Sequence, residues 1–199
     1  MLMGSLMSIK TKIQDIAFDL FDMIAFLVFV WGIVLFVRFF IANPYTVVGE
    51  SMSPTFEESD FIVVDKITPR FGEFHRWDVI VFVPPGKTVP YIKRIIGMPG
   101  ETVKIHDSKV QICSWANAQS CFQLEQPYLS SSVWTDTRCW ISDFKVNSWY
   151  FVMGDNRSFS TDSRCCFGLD CYNGASYEVP FDNIIGKVYM RLFPHFGMF

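Results

Sequence analysis

The sequence predicts a mainly β domain that follows a single N-terminal transmembrane helix and carries a small inserted, disulfide-rich subdomain. Three observations support this fold class. One apolar run near the N-terminus is long enough to cross a bilayer, the rest of the chain consists of short apolar segments separated by Pro and Gly, and all six cysteines follow the apolar run. With 199 residues, the chain has room for one compact domain and an appendage.

The composition excludes several classes of protein. Half of the residues are hydrophobic and only 19% are charged, so the chain has enough apolar surface to form a core. This composition excludes a disordered chain and a coiled coil. Seventeen Lys and Arg against 20 Asp and Glu give a net charge of −3, and the sequence has no long basic run. Nucleic acid is therefore not expected as a partner.

The first element is the apolar run from Met23 to Ala42, which only Arg38 interrupts. As a helix this run would extend about 30 Å, the thickness of a hydrocarbon core. We predict a membrane anchor over residues 19–42 after a cytoplasmic tail of residues 1–18. Short basic flanks tend to stay in the cytoplasm, and the lysines of the tail therefore place the rest of the chain on the extracytoplasmic side of the cell membrane.

A cleaved signal peptide is the alternative to a retained anchor. The end of the run, Phe39-Phe40-Ile41-Ala42, places a bulky Phe where cleavage requires a small side chain. Retention as an anchor is therefore favoured.

The cysteines indicate an oxidising compartment, because their number is even and all lie beyond the anchor. Six cysteines allow 15 pairings, and excluding the three that join the adjacent Cys165 and Cys166 leaves 12. One candidate among these is a local disulfide between Cys113 and Cys121. A zinc site is the alternative, but the sequence has no CxxC pair and its three His are scattered.

Short apolar segments ended by Pro and Gly follow the anchor, and six of them are strand candidates. These candidates cover residues 60–66, 78–83, 89–96, 101–105, 148–153 and 183–192. From residue 106 to residue 148 the composition changes to Ser, Cys, Trp, Gln and Asn without a clear period. We expect this stretch to be an inserted cap subdomain held by disulfides rather than further core sheet.

Ser51 is the first candidate for chemistry, in the segment Gly49-Glu50-Ser51-Met52-Ser53-Pro54-Thr55. Pro54 fixes its own φ and keeps the preceding residue out of the helical region, so Ser51 is expected in a stiff turn that presents its hydroxyl in a defined direction. A simple turn serine is the alternative.

Lys93 is the candidate base for this serine, since the three His have no supporting motif around them. The period of two in a strand places Lys93 on one face with Tyr91 and Ile95, while Arg94 points the other way. Apolar neighbours favour the neutral amine, which can accept a proton. A lysine that reaches water from an edge strand is the alternative.

A polar loop over residues 154–164 is the third element, and its charged residues recur as Asp-x-Arg. Asp155 with Arg157 and Asp162 with Arg164 are spaced for charge-assisted hydrogen bonds within the loop. Serines of the loop, Ser160 and Ser163, could orient a lysine amine. A cation-binding or solvated loop is the alternative, and the two arginines argue against a cation site.

Together these three segments resemble the bacterial type I signal peptidases, the membrane-anchored Ser/Lys proteases that remove signal peptides from exported proteins. The resemblance also includes Asp78-Val79-Ile80-Val81-Phe82 and the run around Lys93, all in the order of the family. It covers most of residues 45–105 and 149–190. We therefore expect the catalytic β core to comprise residues 43–105 and 149–199.

The resemblance implies a role for each matching residue. Ser51 would attack the scissile carbonyl to form an acyl-enzyme, with neutral Lys93 as the general base and with no metal or other cofactor. Ser160 would orient the lysine. The residues expected to support the site are charged: Asp155, Arg157, Asp162 and Arg164. The Ser51 backbone N–H would hold the oxyanion, and Gly49 stands where some members of the family supply a second donor from a serine side chain.

The resemblance also implies the partners, which are preprotein signal peptides and the lipid bilayer. Substrate would bind as an extended segment with small side chains in two pockets, for which Met52 is a candidate lining residue. Aromatic residues that could contact the membrane interface are Trp115, Trp134, Trp140 and the tail over residues 193–199. The alternatives are a self-cleaving Ser/Lys peptidase of the repressor kind and a catalytically silent, disulfide-stapled ectodomain that binds a partner protein.

Overall fold

The computed structural model describes residues 2–115, 117–130, 133–137, 139 and 141–199. The chain forms two compact units, Met1–Ile41 and Ala42–Phe199. The first unit is helix α1, Leu2–Phe36, which continues in a wider π-helical turn over Val37–Ile41. Its portion Phe18–Ile41 has a mean hydropathy of 2.7 and is long and apolar enough to cross a membrane, close to the predicted anchor.

The second unit contains a seven-stranded sheet in which every neighbouring pair is antiparallel. Its strands are β1 (Ala42–Thr46), β2 (Phe61–Asp65), β3 (Val79–Phe82), β4 (Tyr91–Gly97), β9 (Phe151–Met153), β10 (Ile184–Phe193) and β11 (Gly197–Met198). The order is β1-β2-β10-β3-β4-β9, with β11 paired to β10. A short helix, α2, covers Thr68–Phe71.

Five of the six predicted strands belong to this sheet, with small differences at their ends. Strand β9 begins at Phe151, three residues later than predicted, because the preceding backbone has another partner. The N–H groups of residues 147 to 149 donate to the carboxylate of Glu178 over 3.0–3.2 Å instead of pairing with a strand. Strand β1 was not predicted, since it contains Pro44, which an edge strand tolerates.

A second sheet contains the sixth predicted strand and three strands from the insert. It consists of β5 (Glu101–His106), β6 (Lys109–Ser114), β7 (Asn117–Gln123) and β8 (Asp143–Val146), in the order β7-β6-β5-β8. Residues 106–148 therefore contain strands that were not predicted, and these strands belong to a sheet separate from the first. Apolar residues alternate along two of these strands, Val110 with Ile112 and Phe144 with Val146, and all four are buried.

Three hydrophobic clusters form the core of this unit, and strand β9 contributes to two of them. Phe151 and Met153 pack with residues of the second sheet such as Val103. Val152, between them, packs with Ile80 and other residues of the first sheet. The third cluster lies under the segment that carries Ser51 and includes residues of β2, β3 and β10.

All six cysteines form disulfides, and the closure of Cys113 with Cys121 is confirmed. Cys139 pairs with Cys165 and joins the insert to the polar loop. Cys166 pairs with Cys171 within the tight turns that follow this loop. Because the sulfur of every cysteine is bonded to another cysteine, none of them is a thiolate that could bind zinc.

Candidate active site

The side chains of Ser51 and Lys93 meet although 42 residues separate them. Ser51 lies in a turn that is closed by hydrogen bonds from Ser53 N to Glu50 O, 3.1 Å, and from Phe56 N to Met52 O, 2.9 Å. Strand β4 delivers Lys93, whose Nζ donates to Ser51 Oγ over 2.6 Å and to the backbone oxygen of Ile92 over 2.8 Å. The expected stiff turn and the proposed base are thus brought together.

Burial makes the ammonium group of Lys93 unusually acidic. Only 3% of this residue is exposed, and its removal from water lowers the pKa of Lys93 from 10.5 to about 8. The carboxylates of Asp162 and Asp155 oppose this effect, whereas the guanidinium of Arg164 adds to it. A substantial fraction of the amine is therefore neutral at mildly alkaline pH, and a neutral amine can take the proton of the serine hydroxyl.

Asp155 holds the strand of Lys93 against the polar loop through Arg94. Arg94 Nε and Nη2 donate to Asp155 Oδ1 and Oδ2 over 2.9 and 2.6 Å, and Thr55 Oγ1 donates to Oδ2 over 2.6 Å. The expected charge-assisted hydrogen bonds between the side chains of Asp155 and Arg157 are therefore wrong, although Arg157 N donates to the backbone oxygen of Asp155 over 3.0 Å. Sequence analysis missed the role of Arg94, and the signal that could have found it is a charged residue on the same strand face as Ile92 and Ile96, which requires a partner if that face is buried.

Asp162 and Arg164 form the second expected pair. Arg164 Nε and Nη2 donate to Asp162 Oδ1 and Oδ2 over 2.9 and 3.0 Å. Burial raises the pKa of Asp162, but the charge of Arg164 and hydrogen bonds from Arg164, Gly154 N and Ser160 together hold it below its ordinary value. Ser160 thus contacts a carboxylate that acts on Lys93. Ser163, in contrast, accepts a hydrogen bond from Val152 N over 2.9 Å and fixes strand β9.

Arg157 takes its partners from outside the charged pairs. Its Nε donates to the backbone oxygen of Gly154 over 3.0 Å, and its Nη1 donates to Thr135 Oγ1 over 2.6 Å. Its Nη2 donates to Tyr128 Oη over 3.0 Å and also to Gln126 Oε1. The insert therefore contributes side chains around the polar loop, which sequence analysis did not anticipate.

Gly154 marks the closest approach between the polar loop and the serine turn. A Cβ atom at this position would lie 2.2 Å from Ser160 Oγ and 2.3 Å from the backbone oxygen of Ser51. The N–H of Asn156 also donates to that oxygen over 3.1 Å. Only glycine fits here, and this requirement is a second feature that sequence analysis missed.

A groove of about 580 Å³ opens beside the two side chains. It is lined by Ser51, Lys93 and residues of the neighbouring strands and loops, among them Tyr45, Val48, Gly49, Ile62, Val81, Val89, Ile92 and Phe159. Gly49 has a φ of +86°, and a Cβ at this position would meet open space. Met52 is fully buried in the cluster under the serine turn and is not among the lining residues.

Comparison with known proteins matches the sequence of this chain to one family. The family model described as "Signal peptidase, peptidase S26" matches residues 20–193. Signal peptidase I U of Bacillus subtilis is 32% identical over 191 residues, which cover 93% of this chain and 90% of that protein. Signal peptidase I of Bacillus licheniformis is 36% identical over 158 residues, which cover 76% and 81%.

One solved structure is a signal peptidase I from Enterococcus faecalis. It aligns with a TM-score of 0.41 at 28% sequence identity and covers 58% of this chain and 96% of that chain. The match of the family model extends from the apolar helix to the last long strand and includes Ser51, Lys93 and the polar loop. On this match, the chain belongs to the signal peptidase family S26.

Proposed function

We propose that this chain is a membrane-anchored serine endopeptidase that removes N-terminal signal peptides from exported preproteins, with Ser51 as nucleophile and Lys93 as general base. One observation carries the assignment of the two residues: a buried lysine with a pKa of about 8 lies 2.6 Å from a serine hydroxyl at the edge of a groove. The family supplies the class of reaction. Because the chain belongs to a peptidase family, the alternative of a catalytically silent ectodomain is not favoured.

The reaction proceeds by two acyl transfers. Ser51 Oγ attacks the carbonyl carbon of the scissile bond while Lys93 Nζ takes the hydroxyl proton, and this proton then passes to the leaving amine. A water molecule, deprotonated by Lys93 Nζ, then attacks the ester carbonyl, and the proton returns to Ser51 Oγ as the bond between this oxygen and the acyl group breaks. The Ser51 backbone N–H would stabilise the oxyanion, and the open space beside Gly49 would let the substrate backbone approach.

The polar loop supports the dyad. Asp162, fixed by Arg164 and by Gly154 N, adds negative charge near Lys93 and holds Ser160 by a hydrogen bond. Asp155 acts on the other side through Arg94 on the strand of Lys93. We assign positioning roles to these side chains and to Arg157, because none of them contacts Ser51 Oγ.

The bilayer is the second partner that we propose. The apolar helix would retain the enzyme in the cell membrane, where the cleavage site of a signal peptide emerges, and the three disulfides support an extracytoplasmic domain. Trp134, Phe193 and Phe196 are exposed and suit the interface. The ring of Phe199 instead packs on Phe56, with centroids 4.4 Å apart, and Trp140 lies outside the described residues.

The test is cleavage of a purified preprotein by the detergent-solubilised full chain, with the cut located by mass spectrometry. We expect the wild type to cut after a segment with small side chains, and Ser51→Ala to be inactive with an unchanged circular dichroism spectrum. Ser53→Ala, two residues away in the same turn, is the matched control and should remain active. Cleavage by folded Ser51→Ala would overturn the assignment.

A further inference from the structure

A segment of the insert covers the two arginines of the polar loop. We call residues 126–130 and 133–137 the covering segment. Three of its side chains accept hydrogen bonds from Arg157, which is 1% exposed: Gln126, Tyr128 and Thr135. Thr135 is itself buried. Most hydrogen bonds of this guanidinium are thus accepted by the insert, which lies outside the sequence segments that carry the family resemblance.

Arg164 depends on the same segment. The residue is fully buried, and its Nη1 donates to the backbone oxygen and to Oδ1 of Asp136 over 3.2 and 3.3 Å. Its Nε and Nη2 face Asp162, and Nη2 also donates to the backbone oxygen of Arg157 over 2.8 Å. Asp136 therefore completes the coordination of the arginine that orients Asp162.

Tyr128 extends this contact to the strand of Lys93. The guanidinium carbon of Arg94 lies 4.1 Å from the centre of the Tyr128 ring, which is a close cation–π contact. Burial raises the pKa of Tyr128 to about 12, so its hydroxyl stays protonated and neutral beside Arg157. The covering segment thus touches all three buried arginines around the site.

A disulfide fixes the end of the covering segment. Cys139 follows Asp136 by three residues, and its partner Cys165 directly follows Arg164. This covalent bond joins the segment to the loop at the point where their side chains meet. The disulfide between Cys113 and Cys121, by comparison, joins β6 to β7 in the second sheet.

We propose that the covering segment, held by the disulfide between Cys139 and Cys165, positions the polar loop for catalysis, so that activity depends on this one disulfide. The inference rests on the proposed function for its activity readout. A buried guanidinium that loses its acceptors draws in water or turns toward others. Movement of Arg164 would carry Asp162 with it and thereby alter the surroundings of Lys93.

The charged groups around Lys93 define the expected direction of the change. Asp162 and Asp155 favour its protonated form, Arg164 disfavours it, and the ring of Tyr91 lies 5.4 Å from its Nζ. Burial has the largest effect on Lys93 and lowers its pKa. Entry of water at the polar loop would weaken that effect and raise the pKa of the amine.

The experiment compares two double variants of the full chain, each of which removes one disulfide and leaves no unpaired cysteine. For Cys139→Ala/Cys165→Ala we expect kcat to fall about tenfold or more with KM nearly unchanged, and the acidic limb of the pH profile to move to higher pH. For the control, Cys113→Ala/Cys121→Ala, we expect wild-type values. Equal kcat and equal pH profiles in the two variants would overturn the proposal.

A second variant keeps the test decisive if removal of the disulfide prevents folding. Thr135→Val removes the hydroxyl that accepts from Arg157 Nη1 at nearly constant side-chain volume, while Thr135→Ser keeps this hydroxyl. We expect the valine variant to show the same loss of kcat and shift of the pH profile, and the serine variant to recover both. Wild-type values for Thr135→Val would contradict a positioning role for the covering segment.

Direct titration separates failure of this proposal from failure of the proposed function. The Lys93 pKa can be followed by the Cε chemical shift of chain labelled with 13C-lysine, with Lys93→Met to assign the signal. We expect the pKa to rise in Cys139→Ala/Cys165→Ala and not in the control, whether or not a preprotein is cleaved. An unchanged Lys93 pKa in all variants would refute the proposal that the covering segment acts on Lys93. If the wild type cleaves no preprotein but the Lys93 pKa shifts in Cys139→Ala/Cys165→Ala, only the peptidase assignment is refuted.

Discussion

Arg94 and Asp155 form a buried ion pair with two hydrogen bonds, 2.9 and 2.6 Å long, between strand β4 and the loop that follows strand β9. The residue before Arg94 is Lys93, and the residue before Asp155 is Gly154, which touches the serine turn. One ion pair therefore joins the strand of Lys93 to the loop that packs on the turn of Ser51.

Loss of one partner of this ion pair should destabilise the fold strongly. Arg94→Ala leaves the carboxylate of Asp155 buried without its countercharge, which costs about 3–5 kcal/mol in the free energy of unfolding. Chemical denaturation of the full chain in detergent, followed by circular dichroism, measures this cost. The double variant Arg94→Ala/Asp155→Ala should lose less than the sum of the single variants, and strictly additive losses would contradict the pairing.

The pH dependence of cleavage should report the amine of Lys93. Because only the neutral amine accepts the serine proton, kcat/KM should rise with pH and reach half of its maximum near pH 8, the pKa of Lys93. Lys93→Arg should be inactive at every pH, since a guanidinium does not release its proton. A half-maximum near pH 6.5 would instead indicate a histidine base.

The same lysine should cost stability at neutral pH. The pKa of Lys93 falls from 10.5 to about 8 on folding, so the native state binds fewer protons than the unfolded chain between these values, and stability rises with pH across that window. Below pH 8 the full penalty is present, about 3 kcal/mol for a shift of this size. Lys93→Met should therefore be more stable than the wild type at pH 7, and the difference should shrink above pH 8. A variant that is less stable at pH 7 would contradict this.

The contact at Gly154 predicts a large effect from one methyl group. Gly154→Ala would place a Cβ about 2.2–2.3 Å from Ser160 Oγ and from the Ser51 backbone oxygen, so the polar loop or the serine turn must move. We expect kcat to fall about 100-fold, as a displacement of about 1 Å at a catalytic group can cause. Gly197→Ala is the control, because its nearest atom would lie 3.4 Å away, and equal kcat values for the two variants would refute the prediction.

The fold could be predicted from sequence where the alternation of apolar residues was uninterrupted. Strands β2, β3, β4 and β10 occur within two residues of their predicted ends. Strands β6 and β7 were missed because the stretch around them is rich in Ser, Cys, Gln and Asn, and its apolar residues alternate only over short runs. Along β6 the side chains of Val110 and Ile112 are buried and Gln111 between them is half-buried, and the disulfide between Cys113 and Cys121 joins directly opposed residues of the two strands.

At the site, the resemblance to the family predicted the contact of Ser51 with Lys93, and spacing in the polar loop predicted the pair of Asp162 with Arg164. They did not predict that Asp155 pairs with Arg94, because these residues lie 61 positions apart and local spacing offered a nearer arginine. The contacts of the covering segment were missed for the same reason. A strand pattern gives the direction of a side chain, whereas its partner depends on the tertiary fold.

Strand β9 has a consequence for how the domain loses its structure. Its three residues alternate between two hydrophobic clusters, with Phe151 and Met153 packed on the second sheet and Val152 on the first. Neither sheet can come apart without exposing apolar side chains of this shared strand. The catalytic sheet and the insert should therefore melt in a single cooperative transition, and a substitution deep in the insert should lower the melting temperature of both.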